Sequence, residues 1–332
     1  MTKKAVVTGG AGFIGSHMVE RLLNDGHEVV VIDNFSSGRP ENLANLKNQE
    51  RLTVIESDIC DAEKVKACFT DVSWVFHFAG LGDIVPSIEQ PTRYMHANVE
   101  GTLTLLEACR NANIEKLVYA ASSSCYGIPD VYPTPEDAPL KPEYPYALSK
   151  LMAEEMIMHW EKVYNLPAIS MRLFNVYGPR SRTSGAYGAV LGVFLKQKLS
   201  NKPFTIVGDG MQTRDFTYVT DVVDGFLKAA QSDISGEIMN IGSDGSYSIN
   251  KLVSLLEGDI EYIPKRPGEP DCTYADITKI RRLLNWEPSV SFEAGVKKVL
   301  ENIDYWQEAP LWTPESISQA TQKWFKYLGD EG

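Results

Sequence analysis

The sequence predicts an α/β fold, a doubly wound parallel sheet with a smaller, largely C-terminal α/β lobe interleaved with it. Three observations predict this. Short β-branched runs alternate with longer helical patterns from the start, those runs are apolar almost throughout, and the rhythm loosens after about residue 175. Strands with near-continuous apolar character are buried on both faces, which calls for helices on each side of a parallel sheet.

The strand-like runs are Lys4–Thr8, Glu28–Asp33, Leu52–Glu56, Trp74–Ala79, Lys116–Ser122 and Ala168–Leu173. Between the first two, apolar residues at 13, 14, 18, 19, 22 and 23 predict a helix over Phe13–Leu23. Pro91–Asn111 and Tyr144–Tyr164 carry the same periodicity. Further on, short strands at Phe204–Val207, Phe216–Val219 and Ile238–Ile241 mix with helices near 187–200, 219–231, 248–257 and 276–284. In the tail Thr313 is placed as an N-cap and Pro314 as the first helical residue. Ile317, Ala320, Trp324, Phe325 and Leu328 then form one stripe, which predicts a helix docked on the protein's own body.

The 332 residues are 43% hydrophobic and 23% charged, an ordinary globular composition that argues against disorder. Lys and Arg number 32 against 44 Asp and Glu, a net charge of −12, which disfavours nucleic acid and anionic membrane as partners. No apolar run approaches the roughly 20 residues of a membrane helix, and the N-terminal apolar stretch is too short for a signal-peptide core. The five cysteines form no CxxC pair, which fits a reducing cytoplasm, and five scattered histidines predict no metal site.

Gly9, Gly12 and Gly15 stand in GxxGxxG spacing between the first strand and helix, with Phe13 and Ile14 at the turn. The first glycine permits the tight turn, the second lets backbone approach a pyrophosphate, and the third lets the helix pack closely. Asp33 ends the second strand, where a carboxylate accepts from a ribose diol and repels a 2′-phosphate. NAD is therefore favoured over NADP, although Arg39 stands nearby. Asp58 and Ile59 follow the third strand, where an adenine edge would lie. Tyr146 and Lys150 are one helical turn apart on a single face. A neighbouring ammonium favours the phenolate and brings tyrosine toward useful base strength. Ser122, Ser123 and Ser124 end the fifth strand, where hydroxyls can orient a substrate hydroxyl beside Tyr146.

Together with Asp33-Asn34, HFAG (77–80), NVEGT (98–102), SSSCYG (122–127), RLFNVYGPR (172–180) and GDGMQTRDFTYVTD (208–221), these segments resemble the extended short-chain dehydrogenase/reductase family. The nucleotide-sugar epimerases and dehydratases are the nearest members, and the likeness spans roughly residues 3–305. The resemblance implies a Rossmann domain over 1–175, a lobe over 176–308 that mainly binds nucleotide-sugar, and a helical extension over 309–332. It implies Tyr146 as catalytic base, Ser122 as its hydroxyl partner, and Lys150 on the nicotinamide ribose. Asn34, Phe78, Ala79, Gly80 and Asn98 would flank or back the cofactor. Asn175 would reach the substrate's phosphate or sugar and Arg214 and Arg266 would clamp its pyrophosphate, with Ser87, Ser123, Ser124, Val190 and Thr273 also around the substrate.

Members of the family begin alike, with the C4 hydroxyl proton going to the tyrosine and the C4 hydride to NAD⁺. The resemblance implies an Asp–Glu pair after the serine in 4,6-dehydratases, a glutamate at the second position in decarboxylases, and a cysteine there in 3,5-epimerases. Here Ser123 and Ser124 follow, and Cys125 stands one residue later as a small buried hydrophobe. The expected activity is a 4-epimerase acting on a UDP-hexose or UDP-N-acetylhexosamine. Gly82-Asp83 and Thr273 leave room for a modified sugar. A dehydratase, decarboxylase or 4-dehydrogenase of the same family is the rival, and an NAD-sensing protein the non-enzymatic one. Leu148, Met152, Met156 and Trp160 form an apolar stripe on the helix of Tyr146, which in this family pairs two copies in a homodimer.

Overall fold

The structure, a computed structural model, describes residues 2–46, 48–181 and 190–329. Six strands, β1 (Lys4–Thr8), β2 (Glu28–Asp33), β3 (Leu52–Glu56), β4 (Trp74–His77), β5 (Lys116–Ser122) and β6 (Ala168–Leu173), join Glu237–Ile241 in one sheet. From one edge the order is Glu237–Ile241, β6, β5, β4, β1, β2, β3, and every pairing is parallel. Strand order reverses between β1 and β4, so the crevice at their carboxyl ends is where a ligand of a doubly wound sheet binds. This is the Rossmann architecture that the alternation of elements predicts.

The pleat sends alternate residues to opposite faces. Val7, Val31 and Phe76 enter one core with Met18 and Leu22 of the first helix, α1 (Phe13–Asn24). Val6, Val30 and Val75 enter another with Leu105, Leu106 and Ile157. Burial on both faces fails at β3, the outer edge, where Thr53 and Val54 are exposed. A third core, built on Phe194, Phe204, Phe292 and Trp306, belongs to the lobe beyond β6. The lobe and sheet share chain, because Glu237–Ile241 leaves the lobe to complete the sheet.

Several boundaries differ from the periodicity. β4 stops at His77, and the helix expected over Pro91–Asn111 is α-helical over Pro91–Met95, π-helical over His96–Glu100 and α-helical again over Gly101–Ala112. A residue inserted into a turn leaves the apolar pattern almost unchanged, so period alone does not reveal it. The helix expected near 187–200 is described over Val190–Leu199, and 187–189 lie outside the described residues. A short helix at Ile84–Glu89 is absent from the sequence reading. Among the described residues no helix is long and apolar enough to cross a membrane.

Candidate active site

Two clefts meet at the carboxyl ends of β1, β4, β5 and β6. The first, of about 440 Å³, runs from Gly9, Gly12 and Gly15 past Asp33, Asn34, Asp58 and Ile59 to Phe78, Ala79 and Gly80. The second, of about 400 Å³, lies between β6, the lobe and the Ile84–Glu89 helix. Ser122, Tyr146, Gly82 and Asp83 line both.

The glycine turn leaves space for a ligand because it contains no side chains. Gly9 has φ +66°, and a Cβ there would approach the Ala79 nitrogen to 2.7 Å. A Cβ on Gly15 would clash with the Gly9 carbonyl oxygen, so only glycine lets α1 start this close to the turn. The helix N-cap, Gly12, offers no side-chain cap, which leaves N–H groups for phosphate oxygens. At the far end the Asp33 oxygens accept from the backbone of Ala11 at 2.9 Å and Phe35 at 2.8 Å. Burial raises this carboxyl's pKa and those two N–H groups oppose the rise. Asn34, next to Asp33 in the chain, donates to Asp58 at 2.8 Å. Arg39 lies over the Tyr305 ring at 4.9 Å. Glycines without Cβ atoms, a carboxylate at the ribose position and a cleft of this length fit NAD.

The second predicted group also comes together. The Ser122 and Ser124 hydroxyls hydrogen-bond each other at 2.8 Å, and both lower the pKa of the Tyr146 phenol against the effect of burial. Tyr146 lies in the helix Pro145–Tyr164, stacked on Tyr144 with ring centroids 6.3 Å apart and meeting Tyr94 edge-on at 6.4 Å. Part of its ring remains open to the cleft, yet burial pushes its pKa up and the Ser122 hydrogen bond opposes that. Lys150 is buried on the same helix with its ammonium 4.3 Å from the centre of the Tyr119 ring. Burial lowers its pKa to about 7, with Glu154 opposing. The hydroxyls of Ser122 and Ser124 thus oppose the effect of burial on the phenol, and desolvation governs the lysine.

Ser123, Asn175, Val190, Arg214, Arg266 and Thr273 line the second cleft as expected. Thr273 donates to the Asn175 side chain at 2.7 Å. The Arg214 Nη2 lies 2.9 Å from one Glu269 oxygen, and the Arg266 Nε 3.0 Å from the other. Gly82 has nothing within 4 Å of a built Cβ, which bears out the room expected there. One expectation needs correction. Ser87 points inward, fully buried, and donates to the Ile84 carbonyl, because a serine inside a short helix can satisfy its hydroxyl only on the preceding turn. Asn98 backs the cofactor cleft as expected, accepting from Leu81 N at 2.7 Å and donating to Ser149 at 2.8 Å. Cys125 is buried, with its thiol pushed up to about 12.

His77 escaped the sequence reading. It is buried between Thr8 at 2.8 Å and Thr102 at 2.9 Å. Thr102 donates onward to the Asn98 carbonyl at 2.6 Å, and Ala79 N donates to Thr8 at 3.2 Å. The directions close only if neutral His77 carries its proton on Nε2 and accepts from Thr8 on Nδ1. The chain ties the glycine turn, the end of β4 and the π-helical turn into one support. Burial lowers the His77 pKa from 6.5 to about 3. Between those values the unfolded state binds the extra proton, so stability falls as pH drops below 6.5. We expect wild-type thermal midpoints to fall more steeply from pH 7 to 4 than those of His77→Gln; parallel profiles would contradict this.

Asp58, Cys60 and His96 bring ligand-type atoms within 4.8 Å of one another, a grouping hidden by their spacing along the chain. The Cys60 thiol is pushed up to about 12 by burial and donates to the His96 carbonyl at 3.4 Å.

A family model, the NAD dependent epimerase/dehydratase family, matches residues 5–242. The UDP-glucose 4-epimerase of Mycolicibacterium smegmatis is 37% identical over 307 residues, covering 90% of this chain and 97% of its own. A UDP-N-acetylglucosamine 4-epimerase from Methanobrevibacter ruminantium, solved with UDP-N-acetylmuramic acid, superposes with TM-score 0.85 at 36% identity, covering 91% and 99%. A UDP-glucuronic acid 4-epimerase from Bacillus cereus, solved with UDP-glucuronic acid and NAD, gives TM-score 0.85 at 34% identity, again covering 91% and 99%. With the glycine turn, Asp33 and the Ser122–Tyr146–Lys150 group in place, these likenesses settle the affiliation: the chain is an NAD-dependent member of the epimerase/dehydratase family.

Proposed function

We propose that the protein is a nucleotide-sugar 4-epimerase acting on a UDP-hexose or UDP-N-acetylhexosamine. The observation that carries this reading is the meeting of the two clefts at Ser122 and Tyr146, with only hydroxyls at the next two positions. The relatives above, all named as 4-epimerases of UDP-sugars, support it. Bound NAD⁺ would supply the acceptor, and later the donor, of the sugar's C4 hydride. Tyr146, held by the Ser122 and Ser124 hydroxyls, takes the 4-hydroxyl proton as that hydride leaves, and gives it back on return. Ser122 aligns the hydroxyl, Lys150 holds the nicotinamide ribose, and Asn98 fixes the Leu81 backbone behind them. Arg214 and Arg266 grip the diphosphate, for which guanidinium geometry is suited. Turning of the 4-keto sugar about this anchor would present its other face for hydride return, with no net oxidation. Neither Ser123 nor Ser124 can supply an acid for loss of water or CO₂, and the Cys125 thiol is buried and protonated.

NMR of the products from UDP-glucose, UDP-N-acetylglucosamine and UDP-glucuronic acid tests the reading. The C4 epimer of one of them is expected, whereas release of water or CO₂, or stoichiometric NADH, overturns it. Leu148 and Met152, 41% and 38% exposed on the outer face of the catalytic helix, support a homodimer through that helix. A single monomeric species in sedimentation at micromolar concentration would remove that part. Five unpaired cysteines support a cytoplasmic setting, and localisation of the tagged chain outside the cytoplasm would contradict it.

A further inference from the structure

We propose that Trp324, on the C-terminal helix, is a positioning residue that holds Arg266 against the diphosphate end of the substrate cleft. The inference rests on the nucleotide-sugar reading above and concerns a helix beyond the residues the family model matches. The helix Pro314–Leu328 opens with a full capping box between Thr313 and Ser316. It buries Ile317, Thr321 and Trp324, and Ile317 enters the core of the lobe. Phe325, expected on the same stripe, is 40% exposed.

Trp324 is where this helix reaches the site. Its indole N–H donates to the Pro267 carbonyl at 2.7 Å, and its ring centre lies 5.3 Å from the Arg266 guanidinium carbon. A guanidinium at that distance from an indole face is held by cation–π attraction. Trp324 and Arg266 line the same cleft. The segment 264–270 carries no helix or strand and turns through Gly268 at φ +67°, so its position depends on what packs against it. Trp324 binds that segment by backbone and by side chain at adjacent residues. The helix also packs on Ile84–Glu89, where Lys323 lies 3.4 Å from Glu89, while Ile84 and Val85 face the cleft. The extension thus braces both walls, and Trp324 fixes the cation on one of them.

Trp324→Leu in the full-length holoenzyme keeps apolar volume in the socket but removes the ring face and the N–H. We expect KM for the UDP-sugar, and the calorimetric Kd for UDP, to rise at least about fivefold with kcat within about twofold. Trp324→Phe, which keeps a ring, is expected to recover most of the loss. Arg266→Ala combined with Trp324→Leu is expected to match Arg266→Ala alone, since the tryptophan acts through the arginine. Unchanged KM and Kd in Trp324→Leu, a fall confined to kcat, or losses that multiply in the double variant would overturn the proposal. Equal NAD content and thermal midpoints verify folding. If the leucine variant fails to fold, Trp324→Met, which also lacks the ring face and the N–H, supplies the comparison: a fivefold weakening of affinity supports the proposal, and wild-type affinity overturns it. If wild type binds no UDP, the nucleotide assignment falls instead, and the same variants are read against whichever of dTDP, GDP or CDP the wild type binds; binding of none overturns both.

Discussion

Tyr146→Phe is expected to lower turnover by at least about 10²-fold while NAD stays bound and the fold holds. The substitution removes one oxygen. The ring keeps its stack on Tyr144 and its edge contact with Tyr94, so the cleft keeps its shape. What disappears is the acceptor for the substrate proton, which Ser122 and Ser124 pull toward the phenolate. Neither serine can replace it, because a hydroxyl is far too weak a base at neutral pH. Turnover measured beside cofactor content separates this from a binding defect. Wild-type rates in the variant would retire Tyr146 as the base.

Glu154→Ala is expected to cost about 3–5 kcal/mol of stability, a large effect for a single substitution. Glu154 and Arg172 are each 2% exposed and joined by the Arg172 Nη2 at 2.6 Å and Nε at 3.1 Å. Ser170 donates to the same carboxylate at 2.8 Å. Removing the acid strands a guanidinium that cannot lose its proton in a dry interior. Replacing both residues by apolar ones of similar volume is expected to recover much of the loss. Thermal unfolding of the single and double variants reads the comparison, and a single variant as stable as wild type would contradict it. Glu154 also stands one turn beyond Lys150 and opposes the lowering of its pKa, so the variant should disturb the site as well.

The features legible in the sequence were those whose chemistry is local. The glycine turn, Asp33 at a strand end, and Tyr146 and Lys150 one turn apart each declare themselves within a few residues. The strands of the sheet were legible because buried parallel strands are apolar on both faces, and β3 departed from that because it is an edge. What stayed hidden depends on partners far apart in the chain. His77 reads as an ordinary strand residue until Thr8 and Thr102 close around it. Glu154 and Arg172 meet between a helix and a strand, and Trp324 finds Pro267 across 57 positions. The electrostatics of Lys150 also escaped, because a sequence shows a charge but not how much water has been removed from it.

The most direct test of the epimerase reading follows the hydrogen on C4. A UDP-sugar carrying deuterium at that carbon, turned over in ordinary water, should yield an epimer with the label still at C4. Release of the deuterium into solvent would mean that the carbon loses its hydrogen as a proton, and hydride return across the sugar would have to be abandoned.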